Sequence, residues 1–252
     1  MTPKYEIRNL TFRYGDVVAL RDISLTIPAN QIFVLLGPAG SGKSTLLRIL
    51  NRLIDLSPAG QIVSGEVLLD GKNIYAPNVN VTELRRRVGM VFAQPVPLPL
   101  SIRENITYGL RLAGITDRAT LEEAVVTSLQ QAAVWEEVKD RLDSPGNALS
   151  GGQQQRLCLA RTLALKPDVI LLDEPTSGLD PISTLKVEQA LQELKKSLTI
   201  IFAPSSVQQG ARIADHAAFL LTSELIEVAS GDQLFTAPHK QQTEDYVTGR
   251  FG

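Results

Sequence analysis

One run of eight residues constrains this chain more than any other. Gly37-Pro38-Ala39-Gly40-Ser41-Gly42-Lys43-Ser44 has the G-x-x-x-x-G-K-S spacing of a phosphate-binding loop. Its flanks agree. Gln31 to Leu36 reads Q-I-F-V-L-L, a short apolar run suited to a buried parallel strand. Ser44 to Leu53 carries Leu46, Leu47, Leu50 and Leu53 at helical spacing. Strand, glycine-rich turn and helix follow without a break. Such a turn points backbone N–H groups at phosphate oxygens and sets a helix N-terminus behind them. The stretch from Gly37 to Thr45 is therefore the expected phosphate cradle. Lys43 would reach the β- and γ-phosphates, and Ser44 would hold Mg²⁺.

Composition narrows the setting. The chain has 252 residues, 44% hydrophobic and 21% charged, which suits a globular protein with a substantial core. A net charge of −2 gives no global pull toward nucleic acid. A single cysteine, Cys158, excludes an internal disulfide and fits a reducing compartment. No apolar run approaches the roughly 20 residues that span a bilayer. Met1 to Glu6 lacks the apolar centre of a signal peptide. The expected location is cytoplasmic, with attachment to a membrane left to a partner.

Residues Tyr5 to Ile27 read as short strands with turns, Ile23, Leu25 and Ile27 alternating with polar neighbours. Phe12 to Asp16 reads as a turn with an exposed-looking aromatic. Tyr14 there could stack on adenine or simply pack. Beyond the loop helix, Ser64 to Gly71 reads as a strand ending in a turn, Thr82 to Arg87 as a short basic helix, and Val88 to Phe92 as another strand. Pro95, Pro97 and Pro99 then forbid both helix and central strand, marking a linker. From Ser101 to Asp143 the chain turns helical. Ser101-x-x-Glu104 and Thr120-x-x-Glu123 both read as capping boxes, and Leu121, Val125, Leu129 and Ala132 keep one face.

Ser150 reads as an N-cap for a helix from Gln153 to Leu165, with Leu157, Ala160 and Ala164 inward. Val169 to Leu172 is a four-residue apolar strand running into Asp173-Glu174. A carboxylate at such a strand end lies where α/β folds place ligands. Asp173 can take Mg²⁺ and Glu174 can polarise an attacking water, although paired acids also occur as solvated turn residues. Asp180-Pro181 is a strong helix start, for a helix running to about Ser197. Thr199 to Ala203 is a further buried strand, and Ala217 to Leu221 pairs with Leu225 to Ala229 as a hairpin. No repeat is apparent.

Gly37 to Ser44, Leu149-Ser150-Gly151-Gly152-Gln153, and Leu171 to Asp173 with Glu174, in this order, resemble the nucleotide-binding subunit of ABC transporters. Leu149 to Gln153 matches that family's signature and Ser177-Gly178-Leu179-Asp180 its D-loop. Within the family, the chain is most similar to the ATPases of bacterial phosphate importers. The similarity runs through Gly65 to Gly71, Leu84 to Phe92, Gln153 to Cys158 and the closing Thr243 to Gly252.

The resemblance implies an α/β fold: a P-loop NTPase core of RecA-like type with a mostly parallel sheet, an antiparallel β subdomain and a helical insertion. The core would comprise about 1–93 and 149–252, and the helical subdomain about 94–148. It implies a head-to-tail dimer of two copies sandwiching two ATPs. Each P-loop would face Ser150, Gly151, Gly152 and Gln153 of the other copy, because Ser-Gly-Gly before a helix is a second anion cradle. It also implies membrane permease subunits as partners, a periplasmic or extracellular solute-binding protein indirectly, no nucleic acid, and a peripheral place on the cytoplasmic face of the membrane. The linker and helical insertion would meet the permease.

Two positions depart from the family's pattern. A glutamine that senses Mg²⁺ and water falls at Ala93, with Gln94 one residue later. The switch histidine falls at Ser205, and the only histidines are His216 and His239. The expected function is ATP hydrolysis energising phosphate import, with hydrolysis slowed by Ala93 and Ser205. The rival readings are another small-solute importer, a nucleotide-gated regulatory dimer with weak hydrolysis, and a soluble ABC protein acting on DNA or ribosomes. The last usually carries two cassettes or a long coiled coil, and neither is present.

Overall fold

The computed structural model describes residues 3–250. Met1, Thr2, Phe251 and Gly252 lie outside it, the last two with the end of the closing motif. In chain order the strands are β1 (Pro3–Tyr14), β2 (Val17–Pro28), β3 (Ile32–Leu36), β4 (Gly60–Leu69), β5 (Lys72–Asn73), β6 (Val88–Val91), β7 (Val169–Asp173), β8 (Thr199–Ala203), β9 (His216–Leu221) and β10 (Glu224–Ser230). The helices are α1 (Lys43–Leu50), α2 (Val81–Arg87), α3 (Ile102–Leu112), α4 (Arg118–Gln131), α5 (Trp135–Val138), α6 (Gly151–Leu163), α7 (Pro181–Leu194), α8 (Val207–Ile213), α9 (Gly231–Thr236) and α10 (Gln241–Val247).

All five residues of β3 are buried, as are all five of β8, because both strands lie inside a six-stranded sheet ordered β10-β9-β3-β8-β7-β6. The sheet is parallel from β9 to β6, and β10 adds to its edge antiparallel. Side chains alternate between two cores. Phe33, Leu35, Leu171 and Ile201 face α1 and the antiparallel sheet β2-β1-β4-β5. Val34, Leu36, Leu172 and Phe202 face α3, α4, α6 and α7. The helices between β6 and β7 thus share one core with the parallel sheet. This is the α/β architecture that the phosphate-binding loop implies.

Several local expectations differ from the fold. The first strands are not short: β1 and β2 run twelve residues each, paired throughout with register shifts near Ile7, Leu10 and Phe12. Asn9 and Asp22, both at φ 48°, break the alternation without breaking the pairing. Gly65 fits there because a Cβ would lie 2.5 Å from the Arg8 and Asn9 carbonyl oxygens. The turn near Tyr14 is confined to Gly15-Asp16, and Phe12 is fully buried. The loop helix stops at Leu50, and Leu53 begins a 3₁₀ turn, since Arg52 takes a left-handed conformation (φ 60°). Thr120 does not cap a helix. Asp117 does, its carboxylate accepting from both the Thr120 N–H (2.8 Å) and the Thr120 hydroxyl (2.7 Å). The Ser101–Glu104 box forms as read, and Leu121, Val125, Leu129 and Ala132 are buried.

Candidate nucleotide site

The loop after β3 can turn only where side chains are absent. Gly37 sits at φ 146°, and a Cβ there would lie 2.2 Å from the Leu220 carbonyl oxygen. Gly42, at φ 104°, would place a Cβ 2.7 Å from the Ala19 oxygen. Pro38, Ala39 and Gly40 carry the turn between them, and Ser41 N–H donates to the Pro38 carbonyl at 3.2 Å. Lys43 folds back onto its own loop, Nζ donating to the carbonyls of Gly37 (2.7 Å) and Pro38 (3.0 Å). Burial pulls the Lys43 pKa down, opposed by the carboxylates of Glu174 and Asp173. The Ser41 hydroxyl oxygen is buried with no hydrogen-bond partner, as a group awaiting a ligand would be.

Ser44, at the start of α1, donates its hydroxyl to Asp173 Oδ1 at 2.9 Å. Asp173 ends β7, and Glu174 follows at φ 49° with its N–H on the Ala203 carbonyl (2.9 Å). A hydroxyl and a carboxylate held in contact are hard oxygen donors, and this pair fits Mg²⁺, which is commonly bound by one or two carboxylates plus substrate phosphates. A cleft of about 480 Å³ opens here, lined by residues 39–45, Glu174, Tyr14, residues 17–19 and Ser223. Tyr14 is half-buried, edge-on to Phe12 with ring centroids 4.9 Å apart, its hydroxyl 3.4 Å from Thr45 Oγ1.

Ser150, Gly151, Gly152 and Gln153 do not line that cleft. They form the N-terminus of α6. Ser150 Oγ accepts the Gln153 N–H and Gln153 Oε1 accepts the Ser150 N–H, a reciprocal cap that leaves Ser150 and Gly151 exposed. Gly152 is required by packing, since a Cβ would lie 2.4 Å from Ser183 Oγ on α7.

Sequence reasoning missed the group that holds this end of α6. Glu137 of α5 accepts from Arg156 Nη1 (2.7 Å) and Nη2 (3.0 Å), Gln153 Nε2 (2.9 Å) and Lys186 Nζ (2.6 Å). One carboxylate thereby ties α5, the signature helix α6 and α7 together. These bonds, Arg156 first, hold its pKa down at about 2 against the opposing effect of burial. Nothing in local spacing marks it, because its partners lie on other helices.

Gln94 is exposed and outside the cleft lining, and Ala93 beside it offers no side-chain hydrogen bond. Their loop is held by α6: Gln155 Nε2 donates to the Phe92 carbonyl (2.8 Å), and Arg161 donates to the Val96 carbonyl (3.1 Å). Ser205 is also engaged, both its N–H and its hydroxyl reaching Gln209 Oε1 at 3.3 Å. Gln209, buried, donates onward to Thr176 (2.8 Å) and Glu188 (3.0 Å). This network too was not legible in the sequence.

A glycine loop between a parallel strand and a helix, facing an acidic strand end across one cleft, defines a P-loop nucleotide-binding protein. The ABC transporter family pattern matches residues 20–177, and the chain belongs to that family, whose members bind ATP. The chain is 54% identical over 246 residues to the phosphate import ATP-binding protein PstB 1 of Vibrio parahaemolyticus, covering 98% of this chain and 90% of that protein. It is 53% identical over 247 residues to the phosphate import ATP-binding protein PstB of Idiomarina loihiensis, with the same coverages. Among solved structures, cbiO1 from Clostridium perfringens, part of the ABC transporter complex cbiONQ, is similar at a TM-score of 0.83 and 25% identity. That alignment covers 99% of this chain and 97% of the other.

Proposed function

We propose that this chain is the ATP-hydrolysing subunit that energises a phosphate importer, working as a head-to-tail dimer beneath membrane permease subunits. The observation that carries the chemistry is that Lys43, Ser44 and Glu174 line one cleft, with Asp173 held to it through the Ser44 hydroxyl. The solute rests on the 53–54% identity to phosphate import proteins over 98% of the chain. The dimer is supported by the separation within one chain of the two anion cradles, the glycine loop and the α6 N-terminus. Among the described residues no helix is long and apolar enough to cross a membrane. A permease-bound place on the cytoplasmic face is consistent with this.

In this reading the loop N–H groups and Lys43 take the β- and γ-phosphates, Lys43 exchanging its carbonyl contacts for phosphate oxygens. Ser44 and Asp173 hold Mg²⁺, which supplies charge neutralisation at the phosphates. Glu174 accepts a proton from the attacking water. Tyr14 offers its ring to adenine at the cleft edge. Ser150 to Gln153 of the second copy close over the γ-phosphate.

Hydrolysis is slowed because Ala93 supplies no donor and Ser205 is occupied by Gln209. That occupancy favours one alternative, a regulatory dimer that closes on ATP and turns over poorly. Uptake of radiolabelled phosphate into vesicles holding the permease, this chain and the binding protein decides between them. ATP-driven phosphate uptake supports the motor. Uptake of a different solute only, or closure without any transport, overturns it.

A further inference from the structure

Gln209 of α8 is 2% exposed, and its one amide group meets three separate segments of the chain. Its Nε2 donates to Glu188 Oε1 on α7 at 3.0 Å and to Thr176 Oγ1 at 2.8 Å, and the Thr176 hydroxyl reaches back to Oε1 at 3.0 Å. Oε1 also accepts the N–H and the hydroxyl of Ser205, each at 3.3 Å. Glu188 dictates how the amide is turned. That side chain is buried and accepts from Arg212 Nη2 (2.6 Å) and Nε (3.0 Å). Burial works to raise its pKa, yet the bonds from Arg212 and Gln209 hold it below the ordinary carboxylate value. A charged carboxylate needs a donor opposite, so Nε2 faces Glu188 and Oε1 is left for Ser205.

Thr176 and Ser205 lie in the loops that leave the adjacent parallel strands β7 and β8. Glu174 opens the first of these loops in a costly conformation. Its φ of 49° is left-handed, which a residue with a Cβ holds only where its neighbours enforce it. Its N–H is on the Ala203 carbonyl (2.9 Å), and its own carbonyl accepts the Ser177 N–H (3.0 Å). Thr176, buried, sits inside that Glu174–Ser177 turn with its hydroxyl engaged by Gln209. The turn that brings Glu174 to the cleft is thus held from behind by one buried amide.

We infer that Gln209 is a positioning residue for hydrolysis, clamping the Glu174 turn through Thr176 and tying it to the loop that carries Ser205. The inference rests on the reading of Glu174 as the base for the attacking water. Gln209 does not line the cleft, so it acts on the placement of Glu174 and not on the nucleotide. A base that must meet a water beside the γ-phosphate loses rate when its turn relaxes. The loop at 37–45 keeps its grip on ATP meanwhile. The expected signature is a lower kcat at unchanged ATP affinity.

Gln209→Met keeps the bulk and removes the amide, and Thr176→Val removes only the hydroxyl of its partner. Turnover is read at saturating Mg·ATP on vesicles holding the permease, and ATP affinity by equilibrium titration. Each change should lower kcat about three- to tenfold, the worth of one neutral hydrogen bond, and leave affinity within about twofold of the parent. The double change should cost no more than the worse single one, because both break the same contact. Amide hydrogen exchange should quicken over residues 173–180 while 37–45 keeps its protection. Parent-like kcat in both variants overturns the inference, as do fully additive losses or a loss confined to ATP affinity. So does faster turnover in Gln209→Met, which would make the amide a brake on Ser205. If Gln209→Met does not fold, Thr176→Val decides alone. Glu174→Gln is the reference: parent-like turnover there sinks the base reading and the clamp with it. Lost turnover there, with Gln209→Met and Thr176→Val indifferent, sinks the clamp alone.

Discussion

Ser44 donates its hydroxyl to Asp173 across 2.9 Å, joining a helix start to a strand end 129 residues further along the chain. The contact depends on β3 and β7 lying in one parallel sheet, separated only by β8, so that both release their chains at the same edge. It places two oxygen donors beside the loop that carries Lys43.

Lys43→Ala removes the ammonium group that waits on the Gly37 and Pro38 carbonyls. Charge-assisted hydrogen bonds of the kind it would make to phosphate are worth roughly 1.5–3 kcal/mol each. ATP affinity should therefore fall by about tenfold or more, or turnover should cease. Equilibrium titration and phosphate release check this, and no change in either would remove Lys43 from the site.

Glu174→Gln keeps the shape of the side chain and its place at the cleft but takes away the base. ATP should stay bound and the dimer should accumulate closed. Light scattering during gel filtration with Mg·ATP reads this directly. A chain that remains monomeric at high concentration, with nucleotide demonstrably bound, would contradict the sandwich.

Ala93→Gln together with Ser205→His would supply two side-chain donors at positions proposed to face the γ-phosphate. Loss of one such preorganised donor typically costs about 2.7–4 kcal/mol, and the two losses need not add. Turnover should rise about tenfold or more while ATP affinity moves little. The histidine gives up the Ser205 hydroxyl contact to Gln209 but keeps the backbone one. Brisk turnover by the unmodified chain, slowed by the double change, would mean that other groups already fill these roles.

Glu137 makes stability sensitive to acid. Its carboxyl pKa is about 2 in the folded chain against an ordinary value of 4.5, so the folded state binds fewer protons than the unfolded state between them. The stabilisation is fully present above about pH 4.5 and is lost as pH falls toward 2. Urea midpoints from pH 7 to pH 3 should fall in the parent and fall less in Glu137→Gln. At neutral pH, Glu137→Ala leaves Arg156, 3% exposed, without its carboxylate. This should destabilise the chain by roughly 3 kcal/mol.

Local rules carried the sequence reading furthest where a few adjacent residues decide the outcome. The glycine loop, the caps at Ser101, Ser150 and Asp180, and the strand ending at Asp173 all lie within such short windows. Thr120 shows the limit. A better acceptor three residues earlier, Asp117, took both its N–H and its hydroxyl. The interrupted alternation of β1 and β2 looked like several strands because bulges shift the register within continuous pairing. Glu137 and Gln209 were invisible for another reason: both act on partners brought near only by the completed fold.

The Glu137 hub also has a consequence for descent. Arg156 is too buried to be left charged and alone, and Lys186 and Gln153 converge on the same carboxylate. Replacing Glu137 alone leaves Arg156 only the Gly152 and Ala133 carbonyls as partners, a buried charge without its counter-ion. Exchange at position 137 is therefore expected to require a compensating change at position 156, or a carboxylate supplied from another helix.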